Sequence, residues 1–241
     1  MAAKQKSADA EAVASAKDRK VRSARGAEAR NKLKKAAENV LERIGYHQMR
    51  VADVTREAGV ASSLFYHYFP DLKTMVLEVL TDFLHRFEEF DVIEKGVTKG
   101  DWYGAILAHN RLYVEHYSKH PGIMRCLLRV SDEVPEFGTL FSQSLVRQLK
   151  WMTNTLMHKF PDAQLTEQEA LHFVYSLSGT AEMLLRGYYI SRDSALTGKA
   201  TTNAEMAELI SVIMYRALFL ESPPLDKLHY TKKFDKVKGT H

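Results

Sequence analysis

The chain has 241 residues, 45% of them hydrophobic and 27% charged, which is enough for one or two domains with a sizeable core and too apolar for a disordered polymer. One cysteine, Cys126, excludes an intramolecular disulfide framework and fits a reducing, cytoplasmic compartment. The net charge is +4 and unevenly spread: residues 1–26 carry +4, residues 226–241 carry +3, and 27–225 carry −3.

Residues 1–26 are rich in Ala, Lys and Ser and lack the apolar core segment of a secretory leader. They read as a disordered basic arm, either suited to a polyanion by counterion release or simply solvated. A helix follows from Ala27, because Leu33, Ala36, Ala37, Val40, Leu41 and Ile44 recur at helical spacing and Gly45 stops the run. Val51, Val54, Thr55 and Ala58 predict a short second helix. Gly59 then turns the chain, and a third helix runs from about Ser62 to Phe69, with Ser62 as its N-cap. Pro70 interrupts, and Asp71 caps a fourth helix to about Glu94 that buries Met75, Val76, Val79, Leu80, Phe83, Leu84 and Phe87.

Helical segments at about 101–119, 122–131, 136–160, 166–192 and 204–221 complete an all-α chain of about nine helices. Cys126 sits in the apolar run IMRCLL, the setting of a buried, inert thiol. The most apolar run, LISVIMYRALFL at 209–220, is too short to span a bilayer and contains Arg216. No membrane association is expected.

The stretch GVASSLFYHYFPD, 59–71, holds four aromatic residues and a histidine. At about 100° per residue, Phe65, Phe69 and Tyr68 share one side, while Ser63 and His67 share the other. Phe65 and Phe69 are expected to pack inward, and Ser63, Tyr66 and His67 to face out. That is the geometry of a helix-turn-helix, with 51–58 as first helix and 62–69 as recognition helix for a DNA major groove. An ordinary helical hairpin with incidental exposed aromatics remains the alternative.

The stretch RVADVTREAGVASSLFYHYFPDLKTMVLEVL, 50–80, resembles the DNA-binding segment of the tetracycline-repressor (TetR) family of bacterial regulators. The matching residues are Gly45 and Tyr46, Val51 and Val54, Ala58-Gly59-Val60, and Phe65, Tyr66 and Phe69. Four positions depart from the family pattern. Arg50 stands where the family has a capping Thr, and Ala61 where it has Ser. Ser63-Leu64 replaces Gly-Thr, and Leu72-Lys73 replaces a Lys that opens the fourth helix. The resemblance implies base or groove-floor contacts from Ser62, Ser63 and His67, with Leu64 against a thymine methyl or packed. It also implies phosphate contacts from Arg50, Tyr66, Tyr68 and Lys73, with Arg22, Arg25 and Arg30 anchoring the arm.

One two-turn reading helix touches few bases, so sequence specificity calls for a homodimer on a near-palindromic operator. The helix at 209–220 is apolar on every face and needs cover on all sides, from its own core or from a partner. The resemblance implies a four-helix bundle built by the last two long helices and their copies. Ser178, Ala181, Leu185, Leu209, Ile210, Ile213 and Ala217 are its candidate seam. It also implies a cavity for a small-molecule effector, with Trp102, Tyr113, Phe137, Phe141, Trp151, Phe173 and Met183 as candidate walls, although aromatic residues at helical spacing often serve only as core. The domains are then a basic arm 1–26, a helix-turn-helix domain 27–72, a ligand-binding and dimerisation domain 73–225 and a basic tail 226–241.

His109, Tyr113, His116 and His120 form one helical stripe, but histidines along one straight helix cannot close a tetrahedral metal site. Neither cofactor nor metal is expected. No phosphate loop, Gly-x-Ser-x-Gly elbow or paired metal-ligand motif is present, which argues against an enzyme. The expectation is a ligand-responsive DNA-binding regulator, with a nonspecific nucleoid-type DNA binder or an all-α small-molecule enzyme as alternatives.

Overall fold

The computed structural model describes residues 25–87, 96–130 and 133–237, and within them every regular element is helical. The first four helices are α1 (25–44), α2 (Val51–Ala58), α3 (Ser62–Tyr68) and α4 (Leu72–Phe87). Next come α5 (Trp102–Lys119) and α6 (Pro121–Arg125), the latter widening into a π-helical turn at Cys126–Val130. Then follow α7 (Pro135–Lys159) and α8 (Glu167–Leu185) with a second π-turn at Arg186–Ser191, and finally α9 (Ser194–Thr197) and α10 (Asn203–Phe219). Both π-turns lie in stretches read from the sequence as plain helix, because hydrophobic period does not register one extra residue per turn. The chain divides after Val79 into two compact units.

In the first unit, α1 contributes Leu33, Ala37, Val40 and Leu41 to a core completed by Val54, Ala58, Phe65, Phe69, Met75 and Val76, all buried. Covering each large side chain contributes about 1.5–3 kcal/mol. Asp71 caps α4 as expected, accepting from the Thr74 N–H at 2.7 Å. Those Thr74 hydrogen bonds, with the Lys73 charge nearby, hold its carboxyl below the usual range. Ser62 does not cap α3. The N-cap is Ala61, in extended conformation and without a side-chain bond, because the Leu64 N–H closes onto the Ala61 carbonyl at 3.0 Å and makes Ser62 the first helical residue.

Gly59 ends α2 in the left-handed region, at φ 62° and ψ 43°. Its N–H donates to the Arg56 carbonyl at 3.1 Å, and the Val60 N–H reaches back to Thr55 at 3.0 Å. These two bonds satisfy carbonyls that the helix leaves open. A Cβ at this position would meet nothing within 4 Å, so Gly59→Ala tests backbone strain alone. Its expected cost is about 1–2 kcal/mol, read as a lower urea midpoint.

In the second unit, α5 lies against α10 around Tyr103, Val212, Tyr215 and Leu228. A buried polar link crosses that contact: Asn110 Nδ2 donates to Ser211 Oγ at 3.0 Å, and Ser211 Oγ to the Ala207 carbonyl at 2.6 Å. α7 packs on α8. Reciprocal caps start α8 and α10, with Thr166 paired to Glu169 and Thr202 to Glu205. Cys126 is buried, which pushes its thiol up to about 12 and leaves it unreactive.

The chain after α10 folds back as a strap. The carboxylate of Glu208, only 2% exposed, accepts from the N–H groups of His229 (3.0 Å), Tyr230 (2.7 Å) and Thr231 (2.7 Å) and from the Thr231 hydroxyl (2.7 Å). Desolvation alone would raise the Glu208 pKa, but these hydrogen bonds outweigh it and hold the pKa below the ordinary value. Arg216 ties the strap again, donating to the Phe234 carbonyl at 2.9 Å, and Lys227 pairs with Asp101 at 2.8 Å. The stretch read from the sequence only as a basic tail is therefore docked as far as Val237.

Candidate nucleic-acid interface

The α2–α3 pair is built from inside out. Phe65 and Phe69 are fully covered, with ring centroids 5.9 Å apart, and Val54 of α2 is buried with them. This inner face fixes the rotation of α3. With Phe65 and Phe69 inward, Ser62, Ser63, Tyr66 and His67 are left exposed along the opposite edge, and Tyr66 is 61% accessible. The outward rings are braced by their neighbours. Tyr66 stands edge-on to Phe65 at 5.2 Å, and His67 edge-on to Tyr68 at 4.8 Å. Such contacts reduce the rotamer freedom that a bound state would otherwise have to freeze.

The remaining candidates for DNA contact divide into outward and inward groups. Leu64, Tyr68 and Lys73 are half-buried, and the Tyr68 hydroxyl lies beside Gly26 at the start of α1. Arg25 is exposed at the head of α1, and Arg22 lies outside the described residues. Arg30 is turned inward: its guanidinium pairs with Glu78 and stacks over the Phe69 ring at 4.9 Å. Arg50 holds the α1–α2 loop, donating to the carbonyls of His47 at 2.8 Å and Met49 at 2.9 Å. Its own N–H donates to Asp53 at 3.0 Å. Arg50 supplies no cap from its side chain, and Asp53 provides that end of α2 with its acceptor. A phosphate contact from Arg50 would draw on the guanidinium N–H groups not used in the loop.

A second candidate site lies in the other unit. A cavity of about 540 Å³ opens between the N-terminal half of α5, the C-terminal half of α7, and α8 and α10. Trp102, Trp151 and Phe173 line it; Tyr113, Phe137, Phe141 and Met183 do not. Height along the helix or the direction of the side chain accounts for each of the four that lie elsewhere. Phe137 lies fourteen residues before Trp151 on α7, about 21 Å along the axis, and is fully buried in packing of its own. Phe141, also near the start of α7, is half-buried away from the cavity. Tyr113 packs edge-on against Tyr117 at 5.3 Å, and burial pushes its hydroxyl pKa up. Met183 is 76% exposed on α8.

The sequence reading missed Ile106, His109, Leu156, Phe160 and Met214 on the walls. His109 stacks near Tyr113, and burial pushes its imidazole down to about 4, so it is neutral at ordinary pH. His116 is buried and bonded to the Leu112 carbonyl at 2.7 Å, and both His116 and His120 pack edge-on to Phe83. The histidine stripe is thus shared between a cavity wall and core. Among the described residues no group of three or more His, Cys, Asp and Glu side chains could hold a metal.

Three of the candidate seam residues, Ala181, Leu185 and Ile210, are buried in the unit's own core, so they serve internal packing rather than a second copy. Ile213 is exposed, while Ser178, Leu209 and Ala217 are half-buried. The apolar side chains left accessible on these helices include Tyr175 and Met183 of α8 and Ile213 of α10. No helix among the described residues is long and apolar enough to cross a membrane.

Residues 33–79 match the model for bacterial regulatory proteins of the tetR family. The chain is similar to the uncharacterized HTH-type transcriptional regulator YdgC of Bacillus subtilis (strain 168), 31% identical over 80 residues, which are 32% of this chain and 41% of that protein. The matched part thus spans about two fifths of that relative. A TetR-family transcriptional regulator from Bordetella parapertussis 12822 shares the fold, with a TM-score of 0.57, 18% identity and coverage of 83% of this chain and 97% of that one. The fold is also similar to AibR, solved in complex with isovaleryl coenzyme A and operator DNA, with a TM-score of 0.50, 13% identity and coverage of 77% and 96%.

Proposed function

We propose that this chain, whose residues 33–79 match the model for bacterial regulatory proteins of the tetR family, is a homodimeric repressor released from a near-palindromic operator when a small molecule fills the cavity of its second unit. The observation that carries the DNA half of this reading is the exposed Ser62-Ser63-Tyr66-His67 edge, held rigid by Phe65 and Phe69 behind it. Short hydroxyls and an imidazole suit base edges, because each offers hydrogen-bonding groups at close range without a long flexible arm. Tyr66, Lys73 and Arg25 are assigned to phosphates, which fix register without reading sequence.

Self-association doubles the reading heads. The exposed Tyr175, Met183 and Ile213 on α8 and α10 support a seam there. The ligand acts by binding more tightly to the spacing of heads that does not fit the operator, and that difference in affinity sets the response. AibR, whose structure holds both an acyl-coenzyme A and operator DNA, supports a ligand-responsive reading of the shared fold.

Selection of random duplex DNA by the purified protein tests the proposal. The expected product is a consensus with two half-sites about one helical turn apart. His67→Ala and Ser63→Ala are then expected each to lose about 1–3 kcal/mol of binding and to relax preference at a single base position per half-site, measured by competition with single-base operator variants. Enrichment without a consensus favours a nonspecific DNA binder, and absence of binding at low salt removes the regulator reading.

A further inference from the structure

The cavity of the second unit has a polarity that its volume alone does not convey. Its walls are almost entirely apolar, with Ile106, Leu156, Phe173 and Met214 contributed by four different helices. Its charged residues lie together at one end, where the segment leading into α5 meets the end of α7. They are Lys99, Asp101 and Lys159. Asp101 is already committed: it caps α5 by accepting from the Gly104 N–H at 2.9 Å and pairs with Lys227 of the strap at 2.8 Å. These bonds hold its carboxyl below the usual range, and its charge is compensated in place. Among the described residues neither Lys99 nor Lys159 is paired with a carboxylate; Lys159 lies over the Trp102 ring at 5.2 Å.

Two turns and about 10 Å further along α5 the wall is lined by His109. That imidazole is neutral, so it adds no charge there. A cation entering the cavity would meet two lysines and an occupied carboxylate. A neutral oil would leave the lysines without a counter-charge. We propose that the cavity takes an amphipathic anion, with an apolar chain lying along the tryptophans and a carboxylate or phosphate head at Lys99 and Lys159. This deepens the ligand-responsive reading given above and rests on it.

The chain contains two tryptophans, Trp102 and Trp151, and both line the cavity. Intrinsic fluorescence therefore reports occupancy without a label. Titration of the full chain with decanoate, decyl phosphate, decanol and decylammonium tests the head group. Saturable quenching by either anion at concentrations at least tenfold below those needed for decanol or decylammonium is the expected result. The ranking of the two anions decides between carboxylate and phosphate. In the Lys99→Gln, Lys159→Gln double variant the preference over decanol is expected to vanish, while decanol binding stays within twofold and shows that the cavity is intact. Equal binding of decanol and the anions, or an undiminished preference in the double variant, overturns the proposal. If no probe quenches, the cavity is not the site proposed here. DNA binding, measured separately on the selected operator, then shows whether the regulator reading stands without it. Quenching by an anion that leaves operator affinity unchanged keeps the site and removes its role in release.

Discussion

If the proposed homodimer closes across α8 and α10, Met183→Glu and Ile213→Glu are each expected to leave a monomer and to reduce specific operator affinity by about 10³-fold or more. Both side chains are accessible, Met183 at 76% and Ile213 at 41%. A charge placed there costs the isolated subunit little, within about 0.5 kcal/mol for a surface change. In a seam between copies the same charge is desolvated on both sides at once, since a two-fold interface presents each residue twice. Each reading head stays intact, so nonspecific binding at low salt is expected to survive while the two-half-site complex is lost. Sedimentation reads the first effect, and competition between operator and bulk DNA reads the second. A variant that remains dimeric and binds its operator normally places the seam elsewhere.

Glu208→Ala is expected to destabilise the second unit strongly, by about 3 kcal/mol or more. Removing this carboxylate leaves three backbone N–H groups and a hydroxyl without their acceptor, in a buried place at Thr231 and a partly buried one at His229 and Tyr230. Leu228, now covered in the α5–α10 core, comes free with them. Glu208→Gln keeps the shape and one oxygen but loses the charge, and falls between wild type and Ala. The pH dependence has a definite sign. A carboxylate whose folded pKa lies below its unfolded value stabilises above the ordinary glutamate range and loses that contribution as pH falls through the folded value. Wild type is therefore expected to loosen its strap in acid, below about pH 4.5, whereas Glu208→Ala shows no such step. Hydrogen exchange at residues 228–231 follows both.

The first unit was largely legible in the sequence because its signals are local. Gly59 after a short apolar run, Phe65 and Phe69 one turn apart, and Asp71 after Pro70 each fix the backbone within a few residues of themselves. The exposed Ser63–His67 edge follows from the rotation that the two phenylalanines impose. What escaped was long-range. That Arg30 reaches Glu78, forty-eight residues on, and that Glu208 grips 229–231 are facts of tertiary packing, and no periodicity encodes them. For the same reason, only Trp102, Trp151 and Phe173 of the candidate walls border this cavity. An aromatic residue at helical spacing states that a face is apolar but not at which height along the helix a neighbour draws away. The reciprocal caps at Thr166 and Thr202 were readable from their spacing to Glu169 and Glu205, and they sharpen the helix starts that apolar period placed only roughly.

The strap is held through its main chain. Three of the four groups that Glu208 receives are peptide N–H groups, which every residue but proline possesses. His229 and Tyr230 themselves are exposed. Identity at those two places is consequently free to drift: a library randomised at 229 and 230 should return almost any amino acid apart from proline, while position 208 returns glutamate. A contact that recognises backbone rather than side chain leaves almost no trace in the sequence of the segment it anchors.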